Sequence, residues 1–97
     1  MNNLLYKRRW KIFCELLQHE RNCCLLSQDE VAQKSGIRQD VISKIEKGKR
    51  RIDVIELVFY CEAMNYSLVE FAEKMEGVLA GHGVWERPKK KRFKQIK

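Results

Sequence analysis

Apolar residues recur along this chain at helical spacing, in five stretches separated by short polar turns. Over about 3–21, Tyr6, Trp10, Phe13 and Leu17 repeat with Cys14 beside them, one stripe of a long first helix. The stripe reads as core. Lys7, Arg8, Arg9 and Lys11 lie largely off it, either merely solvated or placed to touch phosphates. A second helix is predicted over 27–34, where Ser27 is a good N-cap and Glu30 can close a capping box. Gly36 marks a sharp turn of the kind that needs left-handed backbone. A third helix follows over 39–47, and Gly48 ends it as a C′ glycine.

The fourth helix starts at a second box, Asp53 with Glu56. Its stripe is Val54, Leu57, Val58, Cys61 and Met64, and Ile55 and Phe59 adjoin it, so burial over a wide arc is expected. Ser67 with Glu70 opens a fifth helix carrying Leu68, Phe71, Ala72, Met75 and Leu79. Beyond Gly77 the pattern fades. Gly81-His82-Gly83 reads as a break, and Arg87-Pro88 ends any helix. The expected architecture is an all-α, five-helix domain over 1–79 followed by a flexible basic tail over 80–97.

Two short helices joined by a glycine turn form a helix-turn-helix, a unit with its own spacing. The matching residues are Leu26-Ser27-Gln28, Val31-Ala32, Ser35-Gly36-Ile37, Ile42-Ser43 and Ile45-Glu46-Lys47-Gly48-Lys49-Arg50. In these the chain closely resembles the Xre-type, lambda-repressor-like family of DNA-binding regulators, and the resemblance runs from about 6 to 75. It implies the five-helix fold. It also implies that Gln28 binds a phosphate and that Glu46 pairs with Arg21, clamping the first helix to the third. By the same resemblance the clamp is expected to present Arg21 to a phosphate as well. Ala32 and Gly36 are structural, since a small residue and a glycine let the two helices cross closely. Relatives often carry glycine where Leu25 stands, so a differently shaped connection is expected there.

Charge sharpens the picture. The chain has 97 residues and a net charge of +7. Residues 86–97 hold seven Lys/Arg and one Glu, a balance of +6, which leaves +1 for the rest. Residues 34–51 carry seven basic and two acidic groups, whereas 53–76 carry six acidic groups and one Lys. Such polarity attracts a polyanion to one face and orients the encounter.

A helix-turn-helix sends the N-terminal side chains of its second helix toward base edges in the major groove. Here those are Arg38, Gln39, Asp40, Ser43 and Lys44. Gln39 suits adenine, Arg38 and Lys44 suit guanine or phosphate, and Asp40 suits a cytosine amino group. Lys47, Lys49, Arg50 and Arg51 follow and would grip the backbone. Arg38 occupies the N-cap of this helix, where relatives carry Ser, Thr or Asp. Forgoing a good cap costs about 1 kcal/mol, of which Asp40 in the first turn recovers part. Either function or drift accounts for the departure.

Other chemistry finds little support. No catalytic triad or phosphate-cradling glycine loop is visible. The cysteines Cys14, Cys23, Cys24 and Cys61 show no CxxC spacing and read as reduced thiols. His19 and Cys23 stand four apart and could share an ion, but no further ligand lies at a convincing spacing, so no metal or cofactor is expected. No stretch reaches the roughly 18 apolar residues of a membrane helix, and early basic residues argue against a secretory signal, so the expected compartment is the cytoplasm.

The expected function is a sequence-specific regulator of bacterial or phage type, a repressor, binding double-stranded DNA as a homodimer. One module buries only about 600–1,000 Å² on DNA, so affinity calls for two half-sites. An alternative is an antitoxin-like module that binds a partner protein through its acidic helices and tail and regulates its own operon. A third is a controller of a restriction-modification operon.

Overall fold

The computed structural model of the chain describes residues 3–88, and the basic run from Lys89 to Lys94 lies outside them. Five helices follow in order: α1 (Asn3–Cys23), α2 (Gln28–Ser35), α3 (Gln39–Glu46), α4 (Val54–Ala63) and α5 (Leu68–Gly81). Among the described residues there is no strand, and no helix is long and apolar enough to cross a membrane.

Local chemistry sets the helix ends. Ser27, Asp53 and Ser67 each accept from the backbone N–H three residues on, and Glu30, Glu56 and Glu70 each accept in return from the N-cap N–H. Gly36 (φ 78°) and Gly48 (φ 76°) take the left-handed conformation after α2 and α3. Leu25 (φ 59°) does so as well, and it is 88% exposed. The connection at Leu25 is thus made in left-handed backbone, the conformation glycine enters most easily. Leucine holds it against a steric cost of about 1–2 kcal/mol.

The core gathers Leu16 and Leu17 of α1, Val31 of α2, Ile42 and Ile45 of α3, Tyr60 and Cys61 of α4 and Phe71 of α5. α1 packs on α3 and α5, and α2 packs on α3 and α4. The third helix is thus held from two sides while its outer face stays open.

Three expectations change. The stripe of Tyr6, Trp10 and Phe13 is only half-buried and lines an open groove of about 470 Å³, shared with Leu57 and Met75. Trp10 and Phe13 stack there with ring centroids 5.4 Å apart. Leu17 and Cys14 are deeply buried as expected, and Ile12, Leu16, Glu20 and Arg21 complete the buried face of α1. On α4, Val54 and Ile55 are each 64% exposed and Phe59 is 48% exposed, so the wide buried arc does not form. A single short helix has too few neighbours to cover that arc, and the polar-looking Tyr60 goes inside instead. Lastly, α5 continues beyond Gly77 to Gly81, and Val84 packs on Ile12 and Leu79 as a small second cluster. Arg9 fixes that return by donating from Nε to the Val84 carbonyl at 2.8 Å.

Candidate nucleic-acid interface

The exposed start of α3 carries Arg38, Gln39, Asp40 and Lys44 at the surface, with Ser43 half-buried among them. Its other end is rooted in the protein. Glu46 is 6% exposed and takes two parallel hydrogen bonds from Arg21, Nε to Oε2 and Nη2 to Oε1, both 2.8 Å. Tyr60 donates its hydroxyl to Glu46 Oε2, and Gln28 donates from Nε2 to Oε1 at 3.0 Å. A carboxylate at the end of α3 thus ties together α1, α2 and α4. Bidentate, charge-assisted contacts of this type restrict orientation as well as adding energy.

The tie extends outward. Gln39 donates from Nε2 to Gln28 Oε1 at 2.8 Å. The chain of contacts from Glu46 through Gln28 to Gln39 reaches from the core to the exposed start of α3. Each amide NH₂ has a second hydrogen, so Gln39 keeps one donor and its carbonyl oxygen free of this link. Those are the two groups that an adenine edge requires.

The basic residues divide into two sets. Arg21 is buried, and all three of its guanidinium nitrogens bond within the protein, Nη1 reaching the Leu26 carbonyl at 2.8 Å. Its geometry serves the clamp rather than a phosphate. Arg50 donates from Nη1 and Nη2 to the two oxygens of Glu56 at 3.1 and 3.0 Å, and from Nη1 to the Arg51 carbonyl, bracing the loop before α4. Lys44, Lys47 and Lys49 are exposed. Arg51 is exposed and lies over the Tyr6 ring at 5.3 Å from its centroid, which aims it along α1.

Arg38 makes no side-chain cap, as expected for that residue type. Its guanidinium instead meets both oxygens of Asp40 at 3.1 Å. Asp40 would otherwise repel a phosphate, and Arg38 beside it offsets that charge.

Gly48 fits one further contact. Trp10 donates from Nε1 to its carbonyl at 3.1 Å, and a Cβ at Gly48 would lie 3.5 Å from that nitrogen. The end of α3 is therefore pinned to α1 twice, at Glu46 and at Gly48. Neither Tyr60 nor this use of Trp10 was legible in the sequence, because Tyr60 lies off the apolar stripe of its helix and Trp10 reads as an ordinary member of one.

Burial by itself would push the Glu46 carboxyl up, but the hydrogen bonds from Arg21, Tyr60 and Gln28 outweigh it and hold the group below its ordinary value of 4.5. A carboxyl depressed in the folded state contributes stability above its unfolded pKa, and that contribution is lost as pH falls through the folded value. We therefore expect the thermal midpoint to hold between neutrality and about pH 5 and to fall below about 4.5. Thermal melts across that range check this, and Glu46→Gln should shallow the acid limb. An equally steep limb in that variant would assign the acid sensitivity to other carboxyls.

Comparison with known proteins agrees with this geometry. A family model described as helix-turn-helix matches residues 20–71. No curated protein is a significant match to the chain. Among solved structures, the crystal structure of a mutant of the restriction-modification controller protein C.Esp1396I is similar, with a TM-score of 0.72 and 22% identity, covering 84% of this chain and 99% of that one. At that identity the likeness is one of fold. The family match spans more than half of the 97 residues and contains both the Glu46 clamp and the exposed start of α3, so the chain belongs to the helix-turn-helix family of Xre, lambda-repressor-like DNA-binding transcriptional regulators.

Proposed function

We propose that the chain is a repressor that reads double-stranded DNA by laying α3 in the major groove. The observation that carries this is the Glu46–Gln28–Gln39 series, which fixes an exposed amide at the start of a helix whose far end is locked into the core. Side chains that reach base edges from a rigid support lose little entropy on binding. Arg38, Gln39, Asp40, Ser43 and Lys44 face the bases in this reading. Gln28, Lys47, Lys49 and Arg51 hold the phosphates, while Arg21 and Arg50 act as braces.

The protein binds as a homodimer in this reading. Val54, Ile55 and Phe59 leave exposed apolar area on α4 that a second copy would cover. A regulator of a restriction-modification operon would present the same DNA-facing residues.

Selection from randomised duplex DNA, sequenced after binding at two salt concentrations, tests the reading. The expected product is a palindrome with half-site centres about 10–10.5 base pairs apart, or a multiple of that, recovered at both salts. Unselective binding that vanishes with salt would overturn it, since phosphate contacts alone behave in that way.

A further inference from the structure

One buried ionisable group plays no part in the DNA-facing network. Glu20 lies near the end of α1 and is 1% exposed. Its Oε1 accepts from Lys74 Nζ at 2.8 Å and from the Tyr66 hydroxyl. Its Oε2 is equally buried and has no hydrogen-bond partner among the described residues. That oxygen points at His19, whose Nε2 is 3.9 Å away. His19 Nε2 is in turn 3.4 Å from Cys23 Sγ. One donor atom from each of the three residues lies within 4.8 Å of the other two.

We infer that His19, Glu20 and Cys23 form a binding site for a single Zn²⁺ ion. Ligands at about 2.0–2.3 Å from a tetrahedral ion stand roughly 3.3–3.7 Å apart. The His19–Cys23 pair at 3.4 Å already fits and the His19–Glu20 pair at 3.9 Å is close, while the set as a whole, spread over up to 4.8 Å, closes by rotation of the exposed His19 and Cys23 side chains. An imidazole nitrogen, a thiolate and a carboxylate are the donors Zn²⁺ takes, and this mixture of soft and hard ligands selects it over Mg²⁺ or Ca²⁺. Both His19 and Cys23 are exposed, which leaves a fourth position for water.

The surroundings suit a cation. The three residues occupy the last two turns of α1, which ends at Cys23, where the helix dipole favours positive charge. Lys74 and Tyr66 hold the far oxygen of Glu20 and so aim the near one, the role that outer contacts play at metal sites. The Lys74 ammonium opposes the ion; with the two anionic ligands the cluster keeps one positive charge, which the half-exposed Lys74 shares with solvent. On binding, His19 donates its Nε2 lone pair, and the Cys23 thiol gives its proton to solvent as sulfur bonds to the metal. Affinity therefore rises with pH.

The sequence spacing concealed the third ligand. His19 and Cys23 share a helix face, whereas adjacent residues such as His19 and Glu20 diverge by about 100°. Only the turn of the Glu20 side chain, held by Lys74 and Tyr66, brings its oxygen across.

The test is titration of the full chain with Co²⁺ as the spectroscopic probe, followed by displacement with Zn²⁺. The expected result is one equivalent of tetrahedral Co²⁺ with a thiolate charge-transfer band, displaced by one equivalent of Zn²⁺. Cys23→Ser should remove that band, and Cys24→Ser should leave it intact. His19→Ala should weaken binding by about 100-fold and Tyr66→Phe by on the order of tenfold. Both Cys23 and His19 are exposed, so their variants test the site without disturbing the core. The inference is overturned if no saturable site appears, if the band survives Cys23→Ser, or if His19→Ala or a folded Glu20→Gln variant binds as tightly as the wild type.

Discussion

Glu46→Ala should cost the protein about 3–5 kcal/mol of stability, the range for removing one partner of a buried ion pair. Three groups lose their acceptor together: the Arg21 guanidinium, the Tyr60 hydroxyl and the Gln28 amide. Arg21 is the costliest, because it would remain charged at 7% exposure with its bidentate partner gone. Small domains have only about 5–15 kcal/mol in total, so the variant should melt about 15–30 °C lower. Urea unfolding of the single variants and of Arg21→Met with Glu46→Leu gives the coupling. The paired apolar variant should be more stable than Glu46→Ala, since it leaves no buried charge unpaired. A loss below about 1 kcal/mol for Glu46→Ala would mean that the clamp is solvated and contributes only at the level of a surface pair.

Gln39→Ala should lose discrimination at one base pair of each half-site by about 1–3 kcal/mol, or roughly 5- to 150-fold, with the rest of the site read as before. Lys49→Ala should behave differently, weakening all sequences alike and lowering the salt slope by about 1. Competition binding against single-position variants of the selected site separates the two patterns. Gln28→Ala should fall between them, because Gln28 both supports Gln39 and lies at the start of α2, where backbone N–H groups favour an anion. Uniform weakening by Gln39→Ala would move the base contact to Arg38 or Lys44.

Much of this protein is legible in its sequence, for a physical reason that differs by element. Capping chemistry is local: Ser27 with Glu30, Asp53 with Glu56 and Ser67 with Glu70 each lie within one turn, and each forms as expected. Left-handed positions after short helices are also local, which is why Gly36 and Gly48 could be placed. The Arg21–Glu46 pair spans 25 residues and was accessible only through the family resemblance. Trp10 on Gly48, 38 residues apart, had no signal at all, since an indole in an apolar stripe announces area and not a hydrogen bond. The exposed Val54, Ile55 and Phe59 show the converse. Hydrophobic identity gives a preference for burial, but the available neighbours decide whether it is met.

By itself the sequence determined the helix-turn-helix, the capped helix starts and the uneven distribution of charge, because spacing, caps and net charge act over a few residues or over the whole chain at once. The tertiary structure decided which side chains meet. It put Tyr60 and Gln28 on Glu46, buried Arg21 in the clamp, paired Arg50 with Glu56, and joined Gln28 to Gln39. It also left one oxygen of Glu20 facing His19 and Cys23. Contacts of that kind depend on how the helices cross and on the rotamer each side chain takes in the packed core, and neither is written in the order of residues along one helix.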